Sequence, residues 1–271
     1  MKAVHYKNWL LILGLFMFTT MFSQEDKFDY ITVTKMHFNL NNPDLKFEDW
    51  QKLEKEYFDK VTSKNDLVIR HNCLTHYFTD DNTEVLNVNV YKSWEDIDKA
   101  GNKTADLVKN AWPNENERKA FFKKLRSYYA DTHSDEIYAS MPYTKPLNAK
   151  SDESFIYYVR NSHFSSSDEG SSDEFDSLMK EFFENVTMKN DLIKGYYTLA
   201  HAWGSDKTDF LEVFVVEKLG DIDEFFKKEG ELFEKHWRTE KEREEFDKKM
   251  NKYFSRHHSD YIYRSVKGLR K

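Results

Sequence analysis

Six histidines form three pairs that repeat along the chain at an almost constant offset. His201 follows His76 and His258 follows His133 by the same 125 residues, as 258 − 133 shows, and His163 follows His37 by one residue more. An imidazole titrates near neutral pH, so it can act as a general base, and it is a common ligand of transition metals. Asp135 and Asp260 lie two residues after the histidines of the third pair. The candidate pocket residues are therefore His37, His76, His133, Asp135, His163, His201, His258 and Asp260.

The alternative interpretation of these histidines is structural, since imidazoles also satisfy hydrogen-bonding groups at the ends of strands and helices. The sequence contains no H-x-H or H-E-x-x-H spacing, so no metal site is predicted with specificity. A Gly-rich phosphate loop, a nucleophile elbow and paired cysteines of the zinc type are also absent from the sequence. Residue types and spacing thus leave three interpretations open: a polar ligand pocket, a metal or haem site, or capping of strand and helix ends.

The histidine pairs belong to a longer internal repeat. Thr132–Tyr138 returns at His257–Tyr263, and Lys64–Leu67 returns at Lys189–Leu192. The two halves align without a gap from about Phe47 to Ser140, and roughly a third of the aligned positions are identical. The period is too long and the copies are too few for a solenoid, which favours duplication of a whole domain.

Each copy contains the signals of seven elements. In the first copy, β-branched and aromatic residues predict strands at 30–38, 67–78 and 84–91, and apolar residues at helical spacing predict a helix from Trp50 to Val61. A long helical region follows and is expected to break near Pro113, with Ser93 and Asn114 as candidate caps. The last strand is expected to open at Ile137–Tyr138 and, in the second copy, at Ile262–Tyr263. The predicted order is β-α-β-β-α-α-β, twice.

This order resembles a ferredoxin-like unit, and two such units in tandem resemble the dimeric α+β barrel superfamily with both partners fused in one chain. The resemblance covers nearly all of residues 28–267. It implies an α+β fold in which two similar units pack sheet to sheet as a pseudo-dimeric barrel, with the strand order 4-1-3-2 in each sheet. The superfamily includes cofactor-independent monooxygenases, haem-handling enzymes, stress-response proteins and secreted bacterial proteins of unassigned function. Their usual pocket lies between the sheet and the helices.

The implied topology brings the candidate residues of each half to one end of its sheet. His37 would end the first strand, His76 would lie near the end of the second, and His133 would sit just before the fourth. Because neighbouring strands are about 4.8 Å apart, the three imidazoles are expected within about 10 Å of one another. Asp81 and Asp206, in the turns before the third strands, are expected at the same end.

The N-terminus predicts export. Lys2 and Lys7 precede an apolar run from Trp9 to Phe22, which is typical of a signal peptide and shorter than a typical membrane-spanning helix. The predicted organisation is a signal peptide at 1–23, a first repeat at 24–141, a linker at 142–152 and a second repeat at 153–271. The mature chain is then expected in the periplasm or outside the cell, without a stable membrane span.

Composition narrows the function classes. Of 271 residues, 33% are charged and 16% are aromatic, and the formal net charge of −7 becomes −9 without Lys2 and Lys7. A chain without a basic footprint is not expected to bind nucleic acid. The only cysteine, Cys73, excludes an intramolecular disulfide.

We therefore predict an exported protein that binds a small molecule in pockets of a duplicated α+β barrel. The alternative is a monooxygenase-like, haem-handling or metal-handling enzyme that uses the paired histidines, and a third possibility is a structural role without a ligand. The sequence identifies no cofactor and no particular ligand.

Overall fold

The structure, a computed structural model, describes residues 28–165 and 170–271. Within these ranges it contains eight strands and six α-helices, in the order that the sequence predicts. The predicted signal peptide at 1–23 lies outside these ranges. The elements of the first half are β1 (Tyr30–Phe38), α1 (Phe47–Lys60), β2 (Arg70–Phe78), β3 (Glu84–Tyr91), α2 (Trp94–Ala111), α3 (Glu115–Arg126) and β4 (Tyr129–Ser140). Those of the second half are β5 (Ile156–Phe164), α4 (Ser172–Asn185), β6 (Gly195–Trp203), β7 (Asp209–Val216), α5 (Asp221–His236), α6 (Glu240–Asn251) and β8 (Phe254–Arg270).

The strands close into one antiparallel barrel with the order β1-β3-β2-β8-β5-β7-β6-β4. Each half contributes four neighbouring strands in the expected order 4-1-3-2. The halves do not form two separate sheets packed face to face, because β2 pairs with β8 and β4 pairs with β6. These two seams satisfy the backbone groups that would remain unpaired at the edges of separate sheets. The α+β fold is thus an eight-stranded barrel surrounded by helices.

Local signals set the helix boundaries. The Ser93 hydroxyl accepts a hydrogen bond from the amide of Asp96 and caps α2, while Asn114 caps α3 just after Pro113. Thr239 and Glu242 form a complete capping box at the start of α6. Such caps satisfy amide groups that have no partner within the helix, and each contributes about 1 kcal/mol.

The last strand of each half begins earlier than predicted. β4 starts at Tyr129 and β8 starts at Phe254, so His133 and His258 lie inside strands rather than before them. His133 pairs with Met36 of β1 in the ladder, and His258 pairs with Ser162 of β5. The sequence pattern missed these segments because their exposed side chains show no apolar alternation.

The two faces of the barrel wall bury different cores. Toward the inside, strands of both halves bury one apolar cluster that includes Ile31, Val88, Val159 and Leu199. Toward the outside, Trp50 of α1 packs on Cys73 and Val85 of the first half, and Phe225 of α5 packs on Phe214 of the second. We call these the barrel interior and the outer face. Because side chains alternate along a strand, residues away from the register shifts in β1, β2, β4 and β5 can be assigned to one of these faces.

The segment predicted as a linker, 142–152, packs along the barrel. The backbone of Lys145 makes two hydrogen bonds of 2.8 Å with that of Tyr196 in β6, and the amide of Leu147 donates to the Tyr197 hydroxyl. Tyr143 of the same segment is buried. The connection between the halves therefore contributes to the fold. In the two described ranges, no helix combines the length and the apolar character that a membrane crossing requires.

Candidate functional site

The strand directions bring the candidate residues of both halves to one end of the barrel. Directions alternate around the ring, so β1, β2, β5 and β6 end where β3, β4, β7 and β8 begin. We call this end the rim; it contains the turns 79–83 and 204–208. His37, His76, His163 and His201 lie near strand ends at the rim, and His133 and His258 lie in the first parts of β4 and β8. The expected placement at one end holds for each half, and both sets share the same end.

The barrel wall separates these residues into two groups. His37 and His76 lie on the interior face, as do their counterparts His163 and His201, because they alternate in register with Val33, Leu74, Val159 and Leu199. Asp135 lies on the outer face, where its carboxylate accepts a hydrogen bond of 2.6 Å from Thr34, and Asp260 contacts Tyr158 there. The structure does not bring His133 to the face that carries His37 and His76.

On the interior face of the first half, five residues form the first rim cluster: Lys35, His37, Asp81, Glu84 and Tyr263. The buried Glu84 carboxylate lies 2.6 Å from Lys35 Nζ and accepts from the Tyr263 hydroxyl at 3.2 Å. His37 Nδ1 lies 3.0 Å from the Asp81 carboxylate and 3.2 Å from the Thr83 hydroxyl. Hydrogen bonds from Thr83 lower the pKa of Asp81, so this carboxyl group is ionised at neutral pH.

Five residues at the equivalent positions form the second rim cluster: Tyr138, Asn161, His163, Asp206 and Asp209. Asn161 donates to Asp209 at 3.0 Å, and the Tyr138 hydroxyl lies 3.5 Å from the same carboxylate. His163 Nδ1 lies 3.3 Å from both Asp206 and Asp209. Burial raises the pKa of Asp209, whereas hydrogen bonds from Thr208 lower the pKa of Asp206. Asp206 is therefore held more firmly in its charged form than Asp209.

The remaining candidate residues have simpler partners. His133 Nε2 lies 3.2 Å from Asp135, and His258 Nε2 lies 3.3 Å from Asp260, on exposed stretches of β4 and β8. Asp260 also accepts from the Tyr158 hydroxyl at 2.5 Å and lies 3.3 Å from Arg160. His76 Nδ1 lies 2.7 Å from the Thr79 hydroxyl. Its counterpart His201 has a buried Nδ1 atom that makes no hydrogen bond with the described residues.

Two clefts open at the rim. The first, of about 600 Å³, spans the β2–β8 seam and is lined by His76, Tyr77, Phe78, Thr79, Asp80, Ser259, Asp260 and Tyr261. The second, of about 500 Å³, lies beside β1 and β4 and includes His37, Asn39, Asp81 and Thr132. Phe78 in the first cleft is 56% exposed, and Trp203, the residue at the equivalent position of β6, is 67% exposed. The rim thus presents aromatic surface beside carboxylates and imidazoles.

Sequence reasoning missed a buried carboxyl group between α1 and the sheet. The Tyr129 hydroxyl donates to Glu54 at 2.5 Å and accepts from the Trp50 indole at 2.7 Å. Burial raises the pKa of Glu54 to about 6. A signal was present, because Glu54 lies next to Leu53 and one turn from Trp50 and Phe58, on the apolar side of a predicted helix.

The second half buries a different pair of carboxyl groups on its outer face. Tyr196 is fully buried and donates to Glu212 at 2.6 Å, and burial raises the pKa of Glu212. Burial and the neighbouring Glu212 raise the pKa of Glu229 to about 7, although Arg160 opposes the shift. The Oε2 atom of Glu229 is buried without a hydrogen-bond partner among the described residues. The sequence signal was weak: a glutamate between Phe210 and Phe214 on a strand.

The described residues do not fit a haem between the sheet and helices of the second half. Phe214 stacks on Phe225 at 5.2 Å and contacts Tyr196 at 4.9 Å, so aromatic side chains fill the space that a macrocycle would need. The described histidines of this half lie elsewhere. His163 is in the second rim cluster, His201 is near the end of β6, and His257 and His258 are on the exposed start of β8. His236 lies against Glu181 and Trp237. In the first half, His71 is buried against Phe58 and bonded to Asn89, and burial lowers its pKa to about 4.

Comparison with known proteins adds information on the fold. No protein-family model matches the chain, and no curated protein matches it. Among solved structures, a protein from Fusobacterium nucleatum provisionally classed as a monooxygenase is similar at a TM-score of 0.56 and 11% identity, over 89% of this chain and 93% of that one. A second provisional monooxygenase, from Lactobacillus acidophilus, gives a TM-score of 0.51 at 7% identity, over 90% and 96%.

The chlorite dismutase of Candidatus Nitrospira defluvii, solved with imidazole, gives a TM-score of 0.51 at 12% identity, over 88% of this chain and 91% of that one. Identities this low carry no information on activity, but the match extends along nearly the whole length of every chain compared. The closed antiparallel barrel with its surrounding helices agrees with these structures. The chain therefore has the dimeric α+β barrel fold.

Proposed function

We propose that this chain is an exported protein that binds a small aromatic molecule at the rim of its barrel. The cleft across the β2–β8 seam carries the proposal. It combines the exposed ring of Phe78 with Tyr77 and Tyr261. Its lining also includes the exposed Asp80, and Asp260, whose carboxylate already contacts Tyr158 and Arg160. Aromatic faces provide stacking surface, and carboxylates accept hydrogen bonds from a cationic group. The favoured ligand is an aromatic amine.

The barrel itself is proposed to derive from tandem duplication of a ferredoxin-like unit. The ladder registers support this origin, because β1 pairs with β3 in the same way as β5 pairs with β7: Val33 is opposite Val88, and Val159 is opposite Val213. The cleft at the seam includes residues of both halves. Duplication and fusion in one chain would therefore allow the β2–β8 seam and the equivalent β4–β6 seam to diverge independently.

Binding of a panel of small aromatic amines, acids and neutral compounds to the mature protein tests this function. Saturation-transfer NMR should detect the amines more strongly than the acids, and Phe78→Ala should remove the signal. Trp94→Ala is the matched control, because Trp94 is also an exposed aromatic residue but lies beside Tyr30, at the opposite end of the barrel. Absence of binding across the panel, or equal binding by the Phe78 variant, would overturn the proposal.

Export is the second part of the proposal and has its own test. A basic region followed by an apolar run at 1–22 supports it. Expression of the full chain in a bacterial host should yield a processed protein in the periplasm or medium whose first residue is Gln24. An unprocessed chain that stays in the cytoplasm would contradict export without affecting ligand binding.

An enzyme of the monooxygenase type is the second candidate, favoured by Glu229. Its pKa of about 7 lets it exchange a proton near neutral pH, and its unpartnered Oε2 atom faces a buried environment with Glu212 and Arg160. A carboxyl group in this condition is suited to general acid–base chemistry. If Glu229 is a general base, oxygen consumption with an acidic phenolic substrate should fall at least about 100-fold in Glu229→Gln.

A further inference from the structure

The second rim cluster differs from the first in a way that favours a cation. We propose that His163, Asp206 and Asp209 form a binding site for a divalent transition-metal ion. One ligand atom from each residue lies within 4.8 Å of the others, and among the described residues this is the group whose donors converge in this way. The inference goes beyond the proposed binding of an aromatic molecule, since the site lies on β5, the turn before β7 and the first residue of β7.

The geometry of His163 provides the first argument. Three oxygen atoms, from Asp206, Thr208 and Asp209, each lie 3.3 Å from the single atom Nδ1. One N–H group can donate well to only one of them. Two ligand atoms that are each about 2.0–2.1 Å from a tetrahedral ion are roughly 3.4 Å apart. The spacing of His163 Nδ1 from the two carboxylate oxygens is thus close to that of a metal site.

Charge provides the second argument. Asn161 occupies the position that Lys35 has in the first cluster, since Lys35 is opposite Leu86 in the ladder and Asn161 is opposite Leu211. The exchange removes one positive charge from beside Asp209. In addition, Glu136, which acts on Asp209 from outside the second cluster, has Tyr261 as its counterpart in the other half, which adds one negative charge near Asp209. Lys35 neutralises Glu84 at 2.6 Å, whereas Asp209 has an uncharged amide in that place.

The neighbouring residues hold the ligands as a metal site requires. Thr208 donates its amide and hydroxyl to Asp206 at 2.8 and 2.6 Å and thereby fixes that carboxylate. Asn161 holds Asp209, and the Oδ1 atom of Asn161 is buried without a hydrogen-bond partner among the described residues. The side chains of His163 and Asp206 are 28% and 45% exposed, so an ion can enter from solution and keep water in its remaining positions. Outer residues of this kind commonly orient metal ligands.

One imidazole with two carboxylates suits Zn²⁺ and its neighbours in the first transition series better than Mg²⁺ or Ca²⁺, which prefer ligand sets made of oxygen alone. The bound ion would retain open coordination positions. It would therefore be accessible to an anionic or neutral donor group from a molecule at the rim.

Titration of tag-free, EDTA-stripped mature protein with Zn²⁺ by calorimetry tests the site. We expect one ion per chain with a Kd of about 10 µM or tighter. Asn161→Lys should weaken binding at least about tenfold, because it gives Asp209 the internal cation that Lys35 gives Glu84. This variant copies an arrangement that the same fold already contains, and its circular dichroism and melting temperature should match those of the wild type.

Two matched variants guard against binding at other histidines. His37→Ala changes the equivalent residue of the first cluster, and His258→Ala changes an exposed imidazole beside Asp260; both should leave the stoichiometry and Kd unchanged. Zn²⁺ binding that is absent, that persists in Asn161→Lys, or that is lost in either control would overturn the proposal. The binding of aromatic amines should survive in Asn161→Lys, so failure of the metal site and failure of the proposed function give different results.

Discussion

The hydroxyl of Tyr263 donates to the buried carboxylate of Glu84, 3.2 Å away across the β2–β8 seam. Tyr138 makes the corresponding but longer contact of 3.5 Å with Asp209 across the β4–β6 seam. Each tyrosine belongs to one half of the chain and each acid to the other. The two seams of the barrel are therefore joined by polar side chains as well as by backbone hydrogen bonds, and these side chains lie within the rim clusters.

Tyr263→Phe should destabilise the protein by about 1–2 kcal/mol, because it leaves a buried carboxylate without one of its donors. Tyr138→Phe should cost less, below about 1 kcal/mol, since a contact of 3.5 Å is at the limit of hydrogen bonding. Urea unfolding of the two variants measures the difference and controls for loss of a phenol hydroxyl at a barrel seam. Equal losses of unfolding free energy in the two variants would contradict this prediction, because the shorter contact of Tyr263 would then contribute no more than the longer contact of Tyr138.

The ion pair between Lys35 and Glu84 should be worth more than an exposed pair. Glu84 is 2% exposed, so Lys35→Met leaves it charged and poorly solvated, and we expect a loss of about 1–3 kcal/mol at pH 8. Lys92→Met is the control, because Lys92 pairs with Asp29 at 2.8 Å while remaining 67% exposed, and its loss should stay below about 1 kcal/mol. Comparable losses in the two variants would contradict a specific role for burial.

Much of this fold could be predicted from the chain because its local signals agree with one another. The β-branched and aromatic residues of 30–38 and 84–91 predict strands with the observed ends, and the caps at Ser93 and Asn114 predict the observed starts of α2 and α3. The start of β4 could not be predicted, because exposed polar residues carry no periodicity. The pairing of β2 with β8 and of β4 with β6, which closes the barrel, could also not be predicted, because backbone pairing between distant strands has no signature in the sequence.

The candidate site could be predicted only in part. Topology places the paired histidines at one end of the barrel. His133, however, lies inside β4 and pairs with Met36, so its side chain points to the face opposite to that of His37. A difference of one position reverses the direction of every side chain in a strand. Asp209 and Asn161, which complete the second rim cluster, could not be predicted as site residues, because neither is a histidine or part of a motif. Their importance follows from three-dimensional proximity alone.

Glu54 should make the stability of the protein depend on pH. Its pKa is about 6 in the folded protein against an ordinary value of 4.5, so the folded state binds the proton more tightly than the unfolded state. The favourable contribution of the protonated group is complete below pH 4.5 and is lost as pH rises through 6. The loss amounts to about 2 kcal/mol. Glu54→Gln should therefore gain stability relative to the wild type between pH 5 and pH 8 in urea unfolding, and a constant difference across this range would contradict the raised pKa.

Glu229 should make the stability of the protein fall with rising pH, as Glu54 does, but over a wider pH range. Because its folded pKa is about 7, the stability of the protonated form is lost between about pH 4.5 and pH 7. Glu229→Gln should thus stabilise the protein at pH 8, and by more than Glu54→Gln does. Glu229→Gln in an Arg160→Met background should stabilise further, because Arg160 lowers the pKa of Glu229 and its removal makes the charged carboxylate more costly to bury. Carbon-13 NMR of the labelled Glu229 carboxyl group measures its titration directly, and a midpoint near 4.5 would show that water reaches this group in the folded protein.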